Sequence, residues 1–358
     1  MPTPFSHLLG GAKHQKPYPE TIAKLVASLE ALDTPQAEGR DARLKYLENI
    51  SRYLASMKIH LFGGAEVEVS KAKVLEIARE LLKTDLLYLL VKHLVDLDFE
   101  ARKDAAQVFG AAVRIKDAED KAPGSAYVLQ RPYIMNMLFL GYGEPSIALN
   151  CGSMLRDCIR DESLARYLLD SGIVLDFFEK VEVANFEIAS DAFSTFKDLL
   201  TRHKAVVALY LQENYQTFFT QYMKLLQSGN YVTRRQSLKL LGELLLDRSN
   251  VKVMVRFVSE VQHLMMMMML LKDQSRSIQF EAFHVFKVFV ANPNKPQSII
   301  DILTNNKEKL LKYLEEFHTD KDEDEQFKEE KAVIIKEISM LGTGPTSQSL
   351  HGSNGSTS

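Results

Sequence analysis

The sequence predicts an all-α protein assembled from a repeated helical unit, and three observations carry that prediction. Apolar residues recur at helical spacing along most of the chain, as in Leu238, Leu241, Leu244 and Leu245. Prolines are sparse after Pro19, hairpin turns are lacking, and apolar/polar alternation is confined to 67–69. A pattern with a period of about 41 to 46 residues returns five times, beginning near Asp98, Glu144, Asn185, Asn230 and Ser275.

Residues 1–16 are expected to be a flexible arm, followed by a repeat domain over 17–341. A helix is expected over 20–32, with Ile22, Leu25, Val26 and Leu29 on one face. A second is expected over 41–61, carrying Leu44, Leu47, Ile50, Leu54 and Met57, and Gly63-Gly64 breaks the chain after it. Two further apolar segments cover 71–82 and 86–97. Together these supply one or two divergent repeats and an N-terminal cap. A helix over 306–317 closes the array. The stretch 319–331, TDKDEDEQFKEEK, reads as a solvated acidic linker before an amphipathic segment at 332–341. The tail 342–358 is rich in Gly, Ser and Thr, offers nothing to form a core, and is expected to be disordered.

Aligning the five units sorts their positions into columns. One holds only small residues: Ala105, Cys151, Ala192, Ser237 and Ala282. Another, four residues on, holds only large apolar ones: Phe109, Leu155, Phe196, Leu241 and Phe286. A third is always polar: Gln107, Ser153, Ser194, Lys239 and His284. Small residues let a neighbouring helix approach, large ones fill the core of the stack, and polar ones face water or a ligand. A purely helical period of this length matches armadillo- or HEAT-like units of two or three helices. Such units bury their apolar faces by stacking, and the expected product is a curved rod with a concave binding face.

Composition narrows the functions. The net charge of −3, from 44 basic and 47 acidic residues, gives no global attraction to nucleic acid, so a basic site must be local. Cys151 and Cys158 stand seven apart in one expected helix, roughly 10 Å at 1.5 Å per residue, too far for a disulfide. Reduced, buried cysteines fit a reducing compartment, and a cytoplasmic protein is expected. The run LMMMMMLL at 264–271 is too short to span a bilayer.

Catalytic signatures are lacking. Gly10-Gly11-Ala12-Lys13 lacks the first Gly and the Ser/Thr of a phosphate-binding loop, and Gly141-Tyr142-Gly143 does not continue into a dinucleotide fingerprint. No His-Glu-x-x-His occurs, and Cys151 sits in a packing column. Asp320, Asp322 and Asp324 mimic the opening of a calcium loop. Glu325 then stands where Gly is needed and Lys331 where a bidentate Glu is needed, so no cofactor or metal is expected.

What remains is a binding surface. Arg234, Arg235 and Lys239 form a basic edge on the helix of 230–250. The column of Arg235 holds Lys103, Leu149, Ser190 and Phe280 elsewhere, so the repeat itself does not demand Arg there. Lys239 lies in the polar column and cannot be core. Tyr231 shares a column with Phe99 and Phe186, where an aromatic residue could equally pack. Met265–269 would wrap a whole helix, so at least one Met must reach a surface, where its adaptable side chain suits a partner.

Four segments then identify a family. YVTRRQSLKLLGELLLDRSN, SRSIQFEAFHVFKVFVANPNKPQ, IASDAFSTFKDLLTRH and IALNCGSMLRDCIRDE resemble the mouse protein twenty-five scaffold family, also called calcium-binding protein thirty-nine. The resemblance runs from Met1-Pro2 and Pro4-Phe5 to about Leu341, is most specific across 144–297, and is looser before residue 85. The Ser-rich tail lies outside it. It implies an armadillo-like adaptor without catalytic activity, monomeric when free. Its animal members bind a Ste-twenty-related pseudokinase, help hold a serine/threonine kinase active, and activate germinal-centre-class kinases; fungal relatives serve polarity and morphogenesis kinases. The resemblance places the partner contacts at Tyr231, Arg235, Lys239 and Met268, on a concave surface for a regulatory helix and in a C-terminal pocket for a Trp-Glu-Phe tail motif. A pocket lysine of the family falls at Asn305 here, with Lys307 nearby. The second reading, a helical-repeat RNA binder, meets the acidic net charge and the lack of a repeated basic or stacking triad.

Overall fold

The computed structural model describes residues 17–34, 39–64, 69–318 and 324–342. The expected arm and the tail beyond Gly342 lie outside the described residues. Among these there are twenty α-helices and no β-strand, so the chain is all-α as its periodicity predicts. In order they are α1 (Tyr18–Glu30), α2 (Gly39–Phe62), α3 (Lys71–Leu81), α4 (Leu86–Lys92), α5 (Phe99–Arg114), α6 (Pro123–Leu129) and α7 (Tyr133–Leu140). Next come α8 (Ala148–Ile159), α9 (Glu162–Asp170), α10 (Ile173–Lys180), α11 (Phe186–Thr201), α12 (Lys204–Glu213) and α13 (Tyr215–Leu225). The last seven are α14 (Tyr231–Leu246), α15 (Val251–Phe257), α16 (Val261–Leu270), α17 (Arg276–Ala291), α18 (Gln297–Asn305), α19 (Lys307–Glu316) and α20 (Glu325–Met340). Helices come in threes, which settles the repeat as armadillo-type rather than two-helix HEAT.

The chain divides into two compact units, Met1–Tyr222 and Met223–Ser358. In the first, α1 packs on α2, and α2, α5, α8 and α11 stack in succession. In the second, α14 packs on α17 and α17 on α20. Four of the five expected unit starts are N-caps. Asp98, Asn185, Asn230 and Ser275 each accept a hydrogen bond from a backbone N–H in the first turn of the helix that follows. Glu144 is different. It belongs to a turn, accepts from the Ser146 N–H at 3.3 Å, and α8 starts only at Ala148. Pro145 follows Glu144 directly, which disfavours a helical backbone at Glu144 and delays the helix.

The columns behave as their chemistry dictates. All ten residues of the small and large columns are at most 1% exposed. In the polar column Gln107, Ser153, Ser194 and Lys239 are exposed and His284 is half-buried. Burying each large side chain contributes about 1.5–3 kcal/mol against leaving it in water. Among the described residues no single helix is long and apolar enough to cross a membrane.

Three expectations need correction. Leu44, grouped with the apolar residues of the second helix, is 51% exposed, while Ile50, Leu54 and Met57 are fully buried. The helix expected over 306–317, α19, does not close the array: α20 follows it and packs on both α17 and α19. The linker of 319–331 is helical from Glu325 onward, because Asp324 caps α20 by accepting from the Phe327 N–H at 3.1 Å. Glu and Lys are strong helix formers, so charge there did not mean loop. Phe327 and Lys331 are buried, and the Lys331 ammonium donates to the Phe317 carbonyl at 3.2 Å.

The α17–α20 contact carries a pH dependence. Burial pushes the Glu330 carboxyl up, but the Lys287 ammonium at 2.6 Å, Gln326 and the charge of His284 outweigh it and hold the group below its ordinary 4.5. A depressed carboxyl stabilises the fold above its ordinary value and loses that contribution as pH falls through the folded value. Hydrogen-exchange protection of α20 is therefore expected to fall as pH drops below about 4.5, and Lys287→Met should flatten that dependence. Equal slopes in the two proteins would refute it.

Candidate partner-binding site

The Asn230 side chain starts α14, accepting from the Val232 and Thr233 N–H groups at 2.9 and 3.3 Å. Helical spacing then places Tyr231, Arg235 and Lys239 one turn apart on one face. Opposite, Ser237, Leu238, Leu241, Leu244 and Leu245 are buried. The helix thus turns its apolar side to the core and presents an aromatic ring and two cations outward.

The basic edge separates into two kinds of arginine. Arg234 is a fastener: its guanidinium donates to the Ser228 carbonyl at 3.0 Å and pairs with Asp273 at 3.4 Å, and its side chain is 24% exposed. Arg235 is 48% exposed and meets Glu281 of α17 at only 3.9 Å. An ion pair of that length and exposure contributes little, about 0–1 kcal/mol. Lys239 is exposed and has no ion-pair partner among the described residues.

Tyr231 leans toward the start of α17. The Ser277 hydroxyl foremost, then the Ser275 hydroxyl, bond its phenol, and with the charge of Arg235 they hold it below its ordinary range. Tyr231 is 42% exposed, and its column mates Phe99 and Phe186 are more so, at 71% and 59%. Aromatic residues in this column therefore stand at the surface instead of packing. On α5 the ammonium of Lys103 lies 5.3 Å from the Phe99 ring, so the same two columns again place a cation beside an aromatic residue.

Met268 belongs to a different helix, α16, which packs on α17 and α18. Met267 is fully buried, Met266 and Met268 are half-buried, and Met265 and Met269 are 59% and 57% exposed. The run reaches the surface, as five successive methionines on a helix must. Asn305 is the exposed last residue of α18. Lys307 is spent elsewhere, donating to the Leu341 carbonyl at 2.8 Å.

Sequence reasoning passed over Glu281, Ser275 and Ser277, the groups that hold Arg235 and Tyr231. A signal existed for the first. Its column holds Asp104 and Asp191, acids that pair with the preceding stacked helix, to Lys58 at 2.6 Å and Arg156 at 2.8 Å.

The chemistry elsewhere is that of packing. Burial pushes the Cys151 thiol up to about 12, and Cys158 is raised by the same cause, so both stay protonated near neutral pH. Among the described residues no group of three or more His, Cys, Asp or Glu is placed to hold a metal ion. Of the calcium-loop mimic, Asp320 and Asp322 lie outside the described residues, and Asp324 serves as the α20 cap.

A family model described as Mo25-like matches residues 9–342. The degreening-related gene dee76 protein of Auxenochlorella protothecoides is 59% identical over 297 residues, covering 83% of this chain and 92% of its own length. The calcium-binding protein 39-like protein of Homo sapiens is 48% identical over 323 residues, covering 90% and 95%. Among solved structures, a designed armadillo repeat protein aligns with 76% of this chain and 99% of its own at 12% identity, with a TM-score of 0.45.

Proposed function

The chain belongs to the Mo25-like family, and on that premise we propose that it is a non-catalytic scaffold that binds and activates serine/threonine kinases or pseudokinases of the Ste-twenty, germinal-centre class. The observation that carries the reading is the pair Arg235 and Lys239, exposed one turn apart on a helix whose opposite side is core. Two cations beside an exposed phenol suit an acidic, partly apolar helix, the kind of regulatory element a kinase moves on activation.

The scaffold acts by binding the closed, active arrangement of its partner better than the open one. Moving a partner from 1:99 to 99:1 requires a preference of about 10⁴-fold. That is more than one ion pair supplies, so a second contact is needed, and Met268 on α16 is the one assigned to the partner's Trp-Glu-Phe-like tail. The setting is cytoplasmic kinase signalling in polarity and morphogenesis.

Pull-down with purified germinal-centre-class kinases tests both parts. The wild-type chain should retain kinase and raise its activity, and Arg235→Ala with Met268→Ala should lose both. No retention by the wild type removes the partner class; retention by the double variant removes the surface.

A further inference from the structure

A concavity in the Met223–Ser358 unit is lined by none of Tyr231, Arg235, Lys239 and Met268. It measures about 660 Å³ and lies between the end of α14, α15, the second half of α17, and α20. Leu246, Val255 and Val333, from three different helices, line it and are 57%, 49% and 55% exposed. Half-exposed large apolar side chains converging on one groove mark a docking surface rather than scattered surface residues. The volume falls within the range of about 300–1,000 Å³ typical of ligand sites.

Charge selects the occupant. Lys287 and Glu330 line the groove but neutralise each other at 2.6 Å. Glu329 lines it too, is exposed, and has no ion-pair partner among the described residues. An apolar groove carrying one uncompensated carboxylate favours an apolar segment with a cation. The chain's own residues 343–358 do not fit: they contain no Lys or Arg, and Leu350 is their one large apolar side chain. We propose that this groove docks an amphipathic helical segment of a partner protein, presenting two large apolar side chains at i, i+4 and one Lys or Arg to Glu329. The polarity is opposite to that of the α14 face, so one segment cannot serve both sites.

The test pans a phage-displayed 12-residue peptide library on the full chain. Enriched peptides should share two large apolar residues one turn apart and a Lys or Arg. The strongest, made synthetically, should bind Val333→Asp roughly 30-fold more weakly, since a charge enters the apolar wall. Val255→Asp, on another wall, should act alike, with helical circular dichroism retained in at least one of the two. Glu329→Lys should cost that peptide roughly 3-fold to 5-fold and favour a version with Glu in place of its cation. The proposal is overturned if enriched peptides are acidic, or if they bind all three variants as they bind the wild type. It is overturned equally if a peptide of residues 1–16 displaces them, or if light scattering shows a dimer that Val333→Asp dissolves, since the occupant would then be this chain. No kinase enters the experiment, so its failure leaves the α14 reading standing.

Discussion

Replacing Asp191 with alanine is expected to destabilise the Met1–Tyr222 unit by about 3 kcal/mol, since removing one partner of a buried pair costs about 3–5 and this pair is only partly buried. The melting temperature should fall by about 6–12 °C, at roughly 2–4 °C per kcal/mol for a unit of this size. Asp191 ties α8 to α11. The Arg156 guanidinium reaches both its carboxylate oxygens, at 2.8 and 2.9 Å, and the Thr195 hydroxyl at 2.7 Å. The Tyr142 phenol donates to the same carboxylate at 2.9 Å. Burial above all, then the neighbouring Asp191 charge, push that phenol up, so it stays a donor near neutral pH. Without Asp191 a largely buried cation and a buried phenol lose the carboxylate they share and keep only neutral acceptors such as the Thr195 hydroxyl. Gly152 provides the room: a Cβ there would lie 1.9 Å from the Asp191 oxygen and 2.4 Å from the Tyr142 hydroxyl. Hydrogen exchange should show the loss first in α8 and α11. Arg156→Leu with Asp191→Leu should recover part of it, because no charge is then stranded. A double variant as unstable as Asp191→Ala would contradict this account.

That clasp shows what the sequence made legible and what it hid. The period, the small and large columns and the unit starts, four of which prove to be N-caps, were readable because each is fixed by local spacing or by the volume of one side chain. Ser237 and Leu241 needed no structure to be placed. Leu44 was misplaced because the early turns of a long helix can overhang the layer they pack on, and periodicity does not say where that layer ends. The start of α20 was hidden because Glu and Lys serve a solvated loop and an exposed helix equally well. At the candidate site, Arg234 and Arg235 are adjacent and chemically identical in sequence. One points to the Ser228 carbonyl and Asp273, the other outward. The loops before α14 and α17, which supply the Ser228 carbonyl and Asp273, distinguish them, and the second of these is a tertiary fact.

Reversing the two outward charges, Arg235→Glu with Lys239→Glu, is expected to weaken binding of the proposed kinase partner by ~100-fold or more while leaving stability within about 1 kcal/mol. Both side chains are exposed, and the contact between Arg235 and Glu281, at 3.9 Å, is the loosest of the pairs joining successive stacked helices described above. In the first unit Asp191 is fully engaged by Arg156; in the second, Glu281 leaves Arg235 half-exposed. If Glu281 merely parks the guanidinium until a partner's carboxylate arrives, it competes with that partner. Glu281→Gln should then raise affinity by roughly 2-fold to 5-fold, the size of one exposed ion pair, chiefly through faster association at low salt. If instead Glu281 aims the guanidinium at the partner, the same substitution should lower affinity. Association rates for Glu281→Gln across a salt series separate the two, and a reduced affinity at every salt concentration would rule out competition.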